Sequence, residues 1–373
     1  MRKPDFTDTP IMMSPLSKID LDHVFYGVGD DWRQLQNANI FITGGTGFFG
    51  CWLLESLIYA NQHFQLNLNA TILTRNPERI SQQLPHLVNA AELNFIKGDV
   101  RDKSTFVRLS ELTRGEVEAR KSTFTHIIHA ATPTSALINQ TAPLEMFDVI
   151  VEGTRTVLNF ATQCGKPKVL FTSSGAIYGK QPTNLSHIPE EFSGGPDSLD
   201  INSSYAEGKR AAEWLCAAYI NSHQLPIKIA RCFTFVGPHL PLNEHFAIGN
   251  FLRDARAGKA IHIAGNGTPM RSYLHAADLT IWLWKVLLNG DVGHAYNVGS
   301  EDAFSIHEIA QNVANCISPK PEIIVAQKPP SDNLPPRYIP STQRAQNELE
   351  LTQQIDLTEA ISRTLSWLNN SPI

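Results

Sequence analysis

Three things are scarce in this chain. Its 373 residues include five cysteines, Cys51, Cys164, Cys216, Cys232 and Cys316, an odd number with no CxxC pair. That spacing argues against a disulfide framework and a zinc site; no metal is expected, and a reducing cytoplasm fits best. Long apolar runs are also missing, since nothing reaches the roughly 18 uninterrupted apolar residues of a membrane span. The opening Met1-Arg2-Lys3 meets Pro4, Asp5, Asp8 and Pro10 rather than an apolar stretch, so no secretory signal is read there. Excess positive charge is the third absence. A formal net charge of -5 and a pI of about 6.2 give no electrostatic reason to bind nucleic acid or an acidic membrane surface. The expected protein is soluble and its partner a small molecule.

What is present is ordinary globular composition, 42% hydrophobic and 18% charged, in a chain longer than the usual single domain. One large domain with a smaller attached lobe is expected. Residues 1–36 show no clear apolar period and read as an N-terminal extension, expected to pack on the surface or over the active site. Short apolar runs at 39–43, 70–74, 93–97, 126–130, 168–172 and 227–231 read as strands. Helical stretches, including 51–60, 152–163 and 205–223, separate them. Such alternation implies an α/β fold with a mostly parallel, doubly wound sheet over 37–236, to which 272–300 returns. Residues 237–271 and 301–373 form the smaller C-terminal α/β lobe, in which Pro329, Pro330, Pro335 and Pro336 mark an excursion before the last helix.

Chemistry enters at Gly44-Gly45-Thr46-Gly47-Phe48-Phe49-Gly50, which follows the first strand and opens the first helix. That is the context a dinucleotide fingerprint requires. Glycine permits the tight turn and lets backbone approach a pyrophosphate, whose charge is favoured at a helix N-terminus. Gly44, Gly47, Phe48, Phe49 and Gly50 are therefore candidate cofactor-binding residues. Where the second strand ends, an acidic residue would hold the adenosine ribose hydroxyls, but this chain has Thr74-Arg75-Asn76. Arg75 pairing with a 2'-phosphate, assisted by Thr74, favours NADP. An Arg75 that stacks on adenine or lies in solvent is compatible with NAD.

Tyr205-Ala206-Glu207-Gly208-Lys209 places Tyr205 and Lys209 one helical turn apart on the same face. A free tyrosine near pKa 10 is a poor base at neutral pH; a neighbouring ammonium favours its phenolate. Tyr205 then exchanges a proton with a hydroxyl while hydride moves to or from a nicotinamide. Upstream, Phe171 to Gly179 sets small hydroxyl residues at the end of the fifth strand, the edge at which doubly wound sheets bind ligands. Ser174 is placed to hydrogen-bond the reacting oxygen; as an isolated residue it would read as a turn cap.

Taken in order, GGTGFFG, the run Gly98 to Asp102, HAAT at His129, SSGAIYG and YAEGK resemble the extended short-chain dehydrogenases over residues 39 to about 300. The resemblance implies a Rossmann domain carrying NAD or NADP and a C-terminal lobe that holds a nucleotide-diphosphate sugar. It implies that Asp99 and Val100 border adenine, that Ala130, Ala131 and Thr132 line the nicotinamide ribose region, and that Lys209 anchors that ribose. Thr134 and Phe233 fall near the sugar pocket. Arg271-Ser272-Tyr273-Leu274-His275 with Asp278 is similar to the family's RxYxHxxD signature, whose arginine contacts the substrate diphosphate. A homodimer through 144–163 and 205–223 is a further implication.

Dehydratases and decarboxylases of that family carry Asp-Glu or Ser-Glu directly after the position of Ser174, where this chain has Gly175 and Ala176. Neither side chain moves a proton. The resemblance therefore implies first a nucleotide-sugar epimerase working through a transient keto sugar, and next an NADPH-dependent ketoreductase. A dehydratase and a non-catalytic dinucleotide sensor stand behind them. Ile150 and Thr234 replace two asparagines of the family pattern, so no particular hexose is assigned.

Overall fold

The computed structural model describes residues 12–115, 124–133, 136–244, 246–328 and 334–371. Its centre is a seven-stranded parallel sheet: β1 (Asn39–Thr43), β2 (Asn69–Thr74), β3 (Leu93–Lys97), β4 (His126–His129), β5 (Lys168–Ser174), β6 (Ile227–Cys232) and β7 (Ala295–Val298). The order across the sheet is β3-β2-β1-β4-β5-β6-β7. The doubly wound sheet expected from the strand and helix alternation is the observed one.

Both faces are covered, so the strands are apolar on both sides. Side chains alternate: Ile40 and Ile42 of β1 join one cluster with Leu53 and Leu57, while Phe41 joins another with Val157 and Phe160. The first face is covered by α2 (Phe48–Phe64) and the second by α4 (Pro143–Gln163) and α5 (Ser204–His223). The segment following β2 is α3 (Pro77–Gln83), capped by Asn76. Helix α4 begins nine residues earlier than its apolar pattern from 152 suggested, because Pro143 fits a first turn and Met146, Val149 and Ile150 extend the buried stripe.

The N-terminal segment differs most from the sequence reading. Lys18–Val28 is helix α1, capped by Ser17, and a tight 3-10 turn follows over Gly29–Leu35. Val24, Val28, Trp32 and Leu35 are fully buried in the main core. The ring of Trp32 lies 5.1 Å from Trp284 of α7 (Ala276–Asn289), and its Nε1 donates to Phe25 O at 3.1 Å. Asp278 on α7 is wholly buried and accepts from Gln354 N at 2.9 Å and Ile355 N at 3.0 Å, with His23 Nε2 of α1 at 2.7 Å. One carboxylate thus joins both ends of the chain to the sheet domain.

The C-terminal lobe contains α6 (Ala247–Arg256), a parallel ribbon of Ile261–Ile263 with Ile323–Val325, and helix α8 (Leu357–Asn370). A small sheet sets Met270–Arg271 between Phe304–Ser305 and Arg337–Tyr338. Pro335 and Pro336 lead into that last strand; Pro329 and Pro330 lie outside the described residues. Among the described residues, no helix is long and apolar enough to cross a membrane. Replacing Trp32 by Ala removes a fully buried indole and should lower unfolding free energy by about 3–5 kcal/mol in a urea titration. A loss below about 0.5 kcal/mol would return this segment to the status of a surface appendage.

Candidate active site

The glycine turn is shaped by contacts that leave no room for side chains. Gly44 has φ 74°, and a Cβ there would lie 2.5 Å from Ala130 backbone; one on Gly50 would lie 2.2 Å from Gly45. Gly50 therefore lets α2 seat directly on the turn. A Cβ on Gly47, the N-cap of α2, would meet nothing closer than Gly44 O at 3.5 Å. The helix N-terminus opens there into a cavity of about 570 Å³ lined by Gly44, Gly47, Phe48 and Phe49. Gly50 lies behind that wall rather than in it.

At the end of the cavity where β2 finishes stand Thr74, Arg75, Asp99 and Val100, joined by Asn76 and Arg79, which the sequence reading did not single out. Arg75 is exposed. Asp99 faces Arg101, whose Nε donates to Oδ1 at 3.0 Å and whose Nη2 donates to Oδ2 at 2.9 Å. This pairing, opposed by partial burial and reinforced by the charge of Arg75, holds the Asp99 carboxyl below the usual carboxylate range.

The opposite end brings together Ala130, Ala131, Thr132, Ser174, Tyr205, Lys209 and Phe233. Lys209 is 2% exposed; its Nζ donates to Thr132 Oγ1 at 2.8 Å and to Thr172 O at 2.6 Å, and lies 4.9 Å from the Phe171 ring centre. Burial pushes its pKa down to about 8. Burial pushes the Tyr205 phenol up to about 12, and the interaction with Ser174 opposes that rise. Ser174 Oγ accepts from Ala176 N at 3.1 Å, which fixes the serine where β5 ends. Behind it, Ser173 Oγ donates to Glu213 at 2.5 Å, and Glu213 is held by Arg231 at 2.8 Å.

Of the remaining candidates, Arg271 lies outside the residues lining this cavity, and Thr134 lies outside the described residues. Most of the RxYxHxxD signature is structural. His275 is wholly buried, caps α7 by accepting from Ala277 N at 3.2 Å, and is driven down to about 3 by burial, hence neutral. Asp278 binds the chain ends as described, and Tyr273 alone of the four lines the cavity. Thr234 donates to Ser272 O, so its hydroxyl ties the exit of β6 to this segment. Ile150 is buried; a Cβ on Gly208 would lie 3.2 Å from its Cδ1, so it packs α4 on α5 beside Lys209.

Beside Ser174, one residue came from the structure alone. A Cβ at position 175 would lie 2.6 Å from the Tyr338 hydroxyl and 2.7 Å from Phe233 Cζ. The Tyr338 and Phe233 rings lie 4.7 Å apart, and the Arg271 guanidinium is 5.9 Å from the Tyr338 ring centre. Burial pushes the Tyr338 phenol well above its usual range, with Tyr205 adding to the rise and Ser174 opposing it. Ser174 is thus shared by two phenols. Tyr338 sits in a two-residue strand beyond a proline-rich run, and nothing local in the sequence marks it.

The model of the NAD-dependent epimerase/dehydratase family matches residues 40–299. The chain belongs to that family. UDP-glucuronic acid decarboxylase 3 of Arabidopsis thaliana is 28% identical over 326 residues, 87% of each chain. The solved UDP-glucose 4-epimerase of Thermotoga maritima superposes with a TM-score of 0.74 at 20% identity, covering 89% of this chain and 99% of that one. The dTDP-glucose 4,6-dehydratase of Bacillus anthracis, solved with NAD, gives 0.71 at 19% identity over 89% and 97%. These two likenesses establish the fold.

The family's NAD fits the residues present. The open N-terminus of α2 at Gly47 suits a pyrophosphate, and Gly44 admits backbone where any side chain would collide with Ala130. The depressed Lys209 pKa carries a stability consequence. Between about pH 8 and 10 the unfolded lysine is protonated and the folded one is not, so stability rises with pH. In parallel denaturant titrations the wild type should gain on Lys209→Met by up to about 1 kcal/mol per pH unit across that window. A constant difference would show that Lys209 keeps an ordinary pKa.

Proposed function

We propose that this protein epimerises a hydroxyl-bearing carbon in the sugar of a nucleotide-diphosphate sugar, through a transient keto sugar. The observation that carries this reading is the composition of one cavity end: Ser174, Tyr205 and Lys209 stand together without a carboxylate. Asp99 is the one carboxylate among the described lining residues, and it stands at the adenosine end, paired with Arg101. Dehydration and decarboxylation call for further proton-handling groups. The positions that would supply them hold Gly175 and Ala176, and Tyr338 occupies the space above Gly175.

The residues divide the work as follows. Ser174 holds the reacting sugar oxygen. Tyr205 removes its proton as the C–O bond becomes a carbonyl, and returns a proton when the alcohol is restored. Lys209, still an ammonium at neutral pH, favours the phenolate by charge and anchors the nicotinamide ribose. Bound NAD supplies the hydride acceptor and donor. Arg271 lies outside the cavity lining but beside Tyr338, a cation placed to meet a substrate diphosphate extending from the cavity; Phe233 walls the sugar pocket. Tyr338, neutral at working pH, shares Ser174 with Tyr205 from behind the cavity wall and helps hold that serine in place.

A second reading rests on Arg75. With no acid at the end of β2 and an exposed arginine there, NADPH is accommodated, which suits a ketoreductase that releases its cofactor. The second subunit of a homodimer would sit on α4 and α5, where Leu144 is 77% and Trp214 69% exposed.

Purified protein incubated with UDP-glucose, UDP-glucuronic acid and dTDP-glucose should yield an epimer without added cofactor. Oxidation of added NADPH by a keto sugar would select the ketoreductase, and release of carbon dioxide the decarboxylase. Tyr205→Phe should lower turnover by about 10²- to 10⁴-fold. Dinucleotide binding with no turnover on any substrate would leave a sensor. Tyr338→Phe should cost about ten-fold in turnover while NADH binding stays constant; unaltered turnover would remove Tyr338 from the site.

A further inference from the structure

The segment Met13–Leu16 belongs to no strand or helix, yet Met13, Pro15 and Leu16 are each fastened. Met13 N donates to Gln83 O at the end of α3 at 2.8 Å. Pro15 O accepts from Trp367 Nε1 of α8 at 2.9 Å. Leu16 N donates to Glu55 Oε2 at 2.6 Å, and Leu16 itself is buried. The segment therefore bonds in turn to the helix after β2, to the last helix of the chain and to α2.

Its central anchor is a buried anion. Glu55 projects from α2 and is 5% exposed. Burial works against its charge, but His239, His86 and the Leu16 amide together hold its carboxyl below the usual range. Its Oε1 lies 3.2 Å from His86 Nε2 and 3.3 Å from His239 Nε2. The Leu16 amide thus serves the other oxygen of a carboxylate that would be costly to leave short of a donor. Such a contact fixes the segment to within hydrogen-bond tolerance.

The position it fixes is on the cavity wall. Met13 is half-buried and lines the cavity beside Asn76, Arg79, Ile80 and Gln83, at the end where Thr74 and Arg75 close β2.

We propose that Met13–Leu16 is a clasp on the dinucleotide site, walling the adenosine half and slowing cofactor release. This rests on the reading of the cavity as a dinucleotide site. For the adenosine to leave on this side, the Met13 and Leu16 amides must give up Gln83 O and Glu55. A retained cofactor is also what an enzyme needs when it oxidises and reduces the same substrate in one turnover.

The test is the release rate of NADH from the full-length protein, read in a stopped-flow instrument by loss of bound-NADH fluorescence after mixing with excess ADP-ribose. Met13→Ala removes the wall without touching the buried anchor. Glu55→Gln weakens the anchor without touching the wall. Each should release NADH about ten-fold faster than wild type, and Met13→Ala should weaken ADP binding by a similar factor. In hydrogen exchange, NADH should slow the Leu16 amide of the wild type. Wild-type release rates in both variants would overturn the clasp, even if Glu55→Gln lowers the melting temperature. If the wild type binds neither NADH nor ADP, the dinucleotide reading fails and the clasp with it. Should Glu55→Gln not fold, Met13→Ala decides the matter alone.

Discussion

The close approach of Gly50 to Gly45 is the constraint on which the rest of the molecule depends. With no Cβ between them, α2 begins directly above the end of β1 and its first amides remain open toward the cavity. The seating of α2 in turn sets Glu55 against the N-terminal segment, and Trp52 Nε1 against Pro238 O at 2.9 Å. A helix displaced by even one methyl group would move the amides that open on the cavity, the Glu55 contact to Leu16 and the entry to the C-terminal lobe together.

The cavity end with Ser174, Tyr205 and Lys209 is held by a different device, a layer of polar side chains behind those three. Arg231 binds Glu213 and donates from Nη1 to Tyr178 Oη at 2.8 Å, and Tyr178 donates to Asn297 at 2.8 Å. Asn297 then donates to Ile188 O and Ser341 O, at 2.8 and 2.9 Å. This chain of bonds runs from α5 through β6 and β7 to the segment just after Tyr338. It joins Lys209's helix to the strand that delivers Tyr338, so the two phenols share one rigid support.

The legible parts of this protein are those whose signal is local. The glycine turn needs seven consecutive residues, and Tyr205 with Lys209 needs a single helical turn. The sheet was readable because buried parallel strands are short apolar runs with punctuation. The extension was not. Its buried residues Val24, Val28 and Trp32 stand four apart, but Asp22, Asp30 and Asp31 and the glycines among them mask the period. Met13, Glu55 and Tyr338 were invisible for another reason: each acquires its role from partners far away in the chain. Ile150 and Thr234 show the converse. Their replacement of asparagines stood out in the sequence, while the structure gives Ile150 to helix packing and Thr234 to a backbone bond.

Gly175 has a consequence for how such a site could change its chemistry. The volume that a side chain at 175 would occupy is filled by the Tyr338 hydroxyl and the Phe233 ring. A carboxylate installed there and the phenol delivered from the C-terminal lobe are mutually exclusive tenants of one space. Converting the proton inventory of this pocket therefore engages Phe233 and Tyr338 as well as position 175, and a substitution there must first displace what already fills the space.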